Sequence, residues 1–178
     1  MWFVIITIVL IIFILMYNQL VREGKQADNS FSTVNVLLKK RYDLIPNLVN
    51  TVKGYAMHEK EVFEKVTLLR DEAISQKSHD EIVKLDNGIS SGIKEIFAVA
   101  EAYPELMASE NFLALQKSLE KMEDELLAAR RTYNAAVTEY NISLDSFPTN
   151  LVGKIFKLKK KELFVIDDKA KDNVKVDL

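Results

Sequence analysis

Histidines set beside carboxylates are what a helical protein would use to build a metal centre, and this chain has two, His58 and His79. A di-metal site in a bundle needs Glu-x-x-His on two helices, with further glutamates facing inward. Three positions before the two histidines stand Tyr55 and Gln76, so that motif is absent. His58-Glu59 opens a zinc-protease H-E-x-x-H pattern, but Val62 stands where the second ligand must fall. His58 therefore reads as an exposed helix residue. The chain has no cysteine, which excludes disulfides, thiol catalysis and thiolate metal sites. Gly88-Ile-Ser-Ser-Gly92 has the glycines of a phosphate loop but no strand before it, and an apolar stripe passes through it. It reads as close helix packing. Nucleophile elbows and dinucleotide turns are missing. A net charge of -2 supplies no basic field for nucleic acid. These residues predict a protein that is not an enzyme, with no metal and no cofactor.

Two polar patterns remain. Tyr133-Asn134 and Tyr140-Asn141 lie one heptad apart on an apolar stripe. A buried tyrosine needs a partner for its hydroxyl, and Arg130, Arg131, Asn134 and Asn141 are within reach. One reading is a network holding helix register; the other is a partner surface that includes Arg130 and Asn134. After Pro148, the apolar residues Leu151, Val152, Ile155, Phe156 and Leu158 alternate with Lys154, Lys157, Lys159, Lys160 and Lys161. Such a segment, residues 148–166, suits contact between its lysines and anionic lipid. It equally suits a cap over the open end of a bundle. Residues 167–178 are charged and lack aromatics, which predicts a disordered tail.

These groups need elements to carry them, and spacing predicts that all are helices. Residues 1–21 contain no charge and are almost wholly apolar, long enough to cross a bilayer. No basic residue precedes the run and no small-residue cleavage site follows it, which predicts an uncleaved anchor over a signal peptide. Arg22 and Lys25 follow it, and this bias predicts a cytoplasmic C-terminal domain in a single-pass protein of the cell membrane. Over residues 22–147, apolar side chains recur in steps of three and four. Ser78 with Glu81 predicts a capping box. Tyr103-Pro104 and Phe147-Pro148 predict helix ends, and Ser109 a further N-cap.

Pro46 stands within this pattern, in Arg41-Tyr-Asp-Leu-Ile-Pro-Asn47. In a helix interior it costs about 3 kcal/mol, whereas in a first turn the amide it lacks is not needed. Asp43 is a suitable N-cap. Helix lengths favour a break at Asp43, which predicts an antiparallel four-helix bundle behind the anchor. The alternative is a three-helix bundle whose first long helix is kinked at Pro46.

Together, Tyr17-Asn-Gln-Leu-Val21, Arg41-Tyr-Asp-Leu-Ile-Pro-Asn-Leu-Val49, Ala100-Glu-Ala-Tyr-Pro-Glu-Leu106, Glu110-Asn-Phe-Leu-Ala-Leu-Gln116 and Phe147-Pro-Thr-Asn-Leu-Val-Gly153 resemble the LemA family of bacterial membrane-anchored proteins. The resemblance runs to about residue 164 and fades beyond Phe164. It implies an N-terminal transmembrane helix followed by an antiparallel four-helix domain, in a family with no established enzymatic activity, cofactor or substrate. Among the motif positions, capping accounts for Asp43 and turn geometry for the prolines. Asn47, Glu110 and Asn111 have no such reason and become candidates for partner contact, with Arg130 and Asn134. The expectation is a protein-interaction scaffold or adaptor in the bacterial envelope. The rivals are a self-assembling membrane protein that oligomerises and contacts anionic lipid, and a ligand- or metal-binding bundle.

Overall fold

The spacing of apolar residues is realised as six helices in a computed structural model that describes residues 1–76 and 78–164. They are α1 (Trp2–Lys53), α2 (Lys60–Ser75), α3 (His79–Glu101), α4 (Pro104–Met107), α5 (Glu110–Asp145) and α6 (Thr149–Ile155). No strand occurs among the described residues. Ser78 and Ser109 take the N-cap positions of α3 and α5 without a side-chain cap hydrogen bond, so the capping box expected of Ser78 and Glu81 is not formed, and Pro104 opens α4. The predicted disordered tail, residues 167–178, lies outside the described residues.

Residue pairings give the topology. Leu20 clusters with Tyr140, Phe31 meets Tyr133, Arg41 meets Glu123, and Thr51 lies beside Asn111, so α1 and α5 run antiparallel along most of their length. Lys65 pairs with Glu95 and Val66 packs on Gly92, so α2 and α3 form a second antiparallel pair. At Gly92 a side chain would collide with Val66, which is the close packing that the glycines at 88 and 92 predict. The core joins both pairs through Leu38, Ile45, Phe63, Ile89, Ile96, Phe112 and Leu126.

The predicted restart at Asp43 does not occur. α1 runs unbroken through Pro46, Asp43 is an exposed interior position, and the turn comes at residues 54–59. The missing amide of Pro46 deprives the Tyr42 carbonyl of its intrahelical donor. Arg70 on α2 supplies one instead, with its Nε 3.0 Å from that oxygen. The length argument failed because the partner of the long rod is α5. At 36 residues α5 is about 54 Å long, long enough to accompany α1 from Leu20 to its end.

α2 and α3 are shorter than α5, so the part of the α1–α5 pair nearest the apolar span lacks two of its neighbours. Extended chain fills the gap. After α6, Lys157 turns through the left-handed region at φ 53°. Leu158 then donates to the Gly153 carbonyl at 2.9 Å and Lys157 to Lys154 at 3.3 Å, which is a Schellman ending built without glycine. Residues 158–164 run back along α5 as a strap. Phe164 is buried against Phe31 and Tyr133, a burial that contributes about 2 kcal/mol.

Candidate functional site

Two constellations of polar groups stand out. The first is the set of side chains that holds the strap. Asn134 donates through Nδ2 to the Phe164 carbonyl at 2.9 Å and accepts the Phe164 amide at 2.8 Å. Asn141 repeats this at Lys161, at 2.9 and 3.0 Å. The hydroxyls of Tyr133 and Tyr140 donate to the carbonyls of Glu162 and Lys159. Geometry explains the spacing. A heptad of helix rises about 10.5 Å and three extended residues span about 10 Å, so Asn134 and Asn141 meet strap residues three apart. Each asparagine satisfies an amide and a carbonyl as a neighbouring β-strand would. The Tyr-Asn pairs, expected to hold helix register, instead fasten the strap to α5.

The second constellation lies where α1, α3 and α5 meet. Among the described residues, Arg41 and Asp86, each about 1% exposed, are the buried charged side chains. One Asp86 oxygen pairs with Arg41 and the other with Arg130. Arg41 also reaches Glu123 at 2.7 Å and the Asp86 carbonyl at 3.3 Å. The Tyr42 hydroxyl donates to Asp86 at 3.4 Å. Phe164 of the strap closes one side, with the Arg130 guanidinium 5.8 Å from its ring centre. Burial raises the Asp86 carboxyl above the usual carboxylate range, against the pull of Arg41 and then Arg130. Burial, together with Asp86, pushes the Tyr42 phenol well above its ordinary value, so it stays a donor. Both Asp86 oxygens carry guanidinium donors and the side chain is sealed. Asp86 thus acts as a cross-brace between three helices, because a substrate has no approach to it. Among the described residues no group of three or more His, Asp or Glu side chains is arranged to hold a metal ion.

The candidate partner residues separate. Arg130 belongs to the buried cluster and Asn134 to the strap. Asn47 and Asn111 come together in a shallow groove at the end of the molecule farthest from the apolar span, where Glu110, also exposed, begins α5. Of the lysines, Lys161 pairs with Asp28 at 2.5 Å and Lys160 with Asp145 at 2.7 Å, while Lys154, Lys157 and Lys159 are exposed. Sequence reasoning passed over Arg41 and Asp86. The available signal was a charge at an apolar-stripe position: Arg41 lies between Leu38 and Ile45, and Asp86 between Ile82 and Ile89.

Fold and geometry thus define a class: an all-helical domain built around the continuation of one helix long and apolar enough to cross a membrane. The LemA family model matches residues 30–178, most of the chain, and the protein belongs to that family. The match carries on past Phe164, where the motifs had faded. Magnetosome protein MamQ 1 of Paramagnetospirillum magneticum is 24% identical over 174 residues, covering 83% of this chain and 64% of the relative. Protein LemA of Metamycoplasma hominis is 29% identical over 139 residues, covering 77% of this chain and 63% of the relative. The chain thus spans less than two thirds of the length of these relatives.

Proposed function

We propose that this chain is a single-pass protein of the bacterial cell envelope whose cytoplasmic helical domain is a non-enzymatic scaffold or adaptor for another protein. The observation that carries the reading is the composition of the distal tip. There Asn47, Asn50 and Thr51 of α1 form a groove with Asn111, Leu115 and Ser118 of α5. The same end exposes Tyr55, Met57 and Leu113. Apolar and aromatic side chains beside amides are what a protein-contact surface uses. From Val21 to Lys53 the helix is unbroken, which holds the tip about 48 Å from the end of the apolar run. Membership of the LemA family supports the membrane-associated, non-enzymatic part of the reading. Arg22 and Lys25, with no basic side chain before the span, support the cytoplasmic orientation.

The test places a photo-crosslinking benzoylphenylalanine at Asn111 of the full-length protein in its native membrane. The expected product joins the chain to one different protein and is lost when Asn47→Arg and Leu113→Arg are added. Products joining two copies of the chain would replace this reading with self-assembly. No product at all would remove the tip as a contact surface.

A further inference from the structure

One surface is apolar, exposed and continuous with the membrane span. α6 packs its buried side, Val152, against Leu20, Tyr140 and Leu144. Gly153 permits this approach, since a Cβ there would lie 2.5 Å from the Leu144 Cδ1. The outer side is different: Leu151 is 51% exposed and Ile155 64%, about one turn apart on α6, and Phe147 in the turn just before it is 80% exposed. The Phe156 ring lies tilted against Tyr17, with centroids 4.4 Å apart, and 6.2 Å from Phe13, both within the apolar run of α1. Tyr17 and Phe13 precede the first charged residue, Arg22, by five and nine positions. At helical rise, the Phe156 ring therefore sits roughly 8–13 Å below the level of Arg22.

We infer that α6 lies inside the bilayer, as an interfacial wedge beside the spanning helix. Phe147, Leu151 and Ile155 point into the acyl chains of the leaflet nearest the domain. The proposal rests on the membrane-anchor part of the function proposed above, because it uses the apolar run of α1 as its depth gauge. Three features suit the location. The exposed apolar stripe adjoins side chains that in this reading face lipid, and in water it would stay unfavourably solvated. The hydroxyls at the α5–α6 corner are turned inward: Ser146 donates to the Ile142 carbonyl at 2.7 Å, and Thr149 to Ser146 at 2.9 Å and also to Ser143. Internal satisfaction of polar groups is what a lipid environment demands. Lys154 within α6, and Lys157 and Lys159 just after it, are exposed, and long lysine stems can reach up to lipid phosphates.

The absence of cysteine makes the test direct. Single variants Leu151→Cys and Ile155→Cys of the full-length protein carry a nitroxide in liposomes of phosphatidylcholine and phosphatidylglycerol. Relaxation by oxygen is compared with relaxation by a polar nickel chelate. Leu10→Cys marks the span and Leu113→Cys the aqueous domain. The wedge predicts that both α6 positions favour oxygen as the span does, with a nickel accessibility at least fivefold below that of position 113. Span values at position 10 with water-like values on α6 would overturn the wedge and leave the anchor standing. Water-like values at position 10 as well would overturn the anchor too. Oxygen preference on α6 accompanied by spin–spin broadening that vanishes on dilution with unlabelled protein would assign the surface to a second copy and overturn the lipid assignment. A Phe147→Cys label provides an independent reading if either α6 variant loses its helical circular dichroism.

Discussion

At the scale of single residues, Asp86 has the largest effect to test. It joins α1 to α5 through two guanidiniums, both drawn well out of water. Asp86→Ala would remove the buried carboxylate between Arg41 and Arg130 and leave them only the half-exposed Glu123. Removing one partner of a buried pair typically costs about 3–5 kcal/mol. Urea unfolding of the full-length protein should show a loss of that size. Replacing Arg41, Asp86 and Arg130 together by apolar residues of similar volume should recover most of it, because no buried charge is then stranded. Recovery would identify the cluster as a device for specifying the packing of three helices. Sequence reading recognised Arg130 as polar chemistry in the wrong setting and stepped over Asp86 altogether. A charge within an apolar stripe has meaning only when its counter-charge is known, and here that counter-charge is 45 positions away.

At the scale of elements, the informative case is α1 at Pro46. Sequence reasoning weighed a local cost of about 3 kcal/mol against the uninterrupted apolar phase and favoured a break. The phase was the better guide. Arg70, 28 positions later, hydrogen-bonds the carbonyl that the proline leaves without its usual donor. This predicts coupling that a double-mutant cycle can measure. Arg70→Ala alone should destabilise by about 1–2 kcal/mol. In a Pro46→Ala background the helix supplies its own amide, so the same change should cost at least about 1 kcal/mol less. Equal costs in both backgrounds would mean that Arg70 acts only through its packing or its pairing with Asp71. The Tyr-Asn heptad was legible as a pattern of buried polar groups. Its object was not, because an extended segment offers no periodicity that marks it as the partner of a helix.

At the scale of the whole molecule, the apolar run and the first helix of the domain are one rod of 52 residues. Leu15 and Lys53 lie 38 positions apart, which at helical rise is about 57 Å. Nitroxides on Leu15→Cys and Lys53→Cys, measured by double electron–electron resonance in liposomes, should give one narrow distance near that value. A broad distribution, or a maximum below about 45 Å, would show a hinge at the membrane boundary or at Pro46.

What the sequence determined by itself was whatever depends on neighbours along the chain. The all-helical class, the apolar run able to span a bilayer, the ends marked by Ser78, Ser109, Tyr103-Pro104 and Phe147-Pro148, and the family all follow from composition, spacing and short motifs. The tertiary structure alone decided the continuity of α1, the Arg41–Asp86–Arg130 cluster, the strap along α5 and the position of α6 beside the apolar run. Each of these depends on contacts between residues far apart in sequence. Such contacts are worth a few kcal/mol apiece, the same size as the local preferences they override, and no local pattern records them.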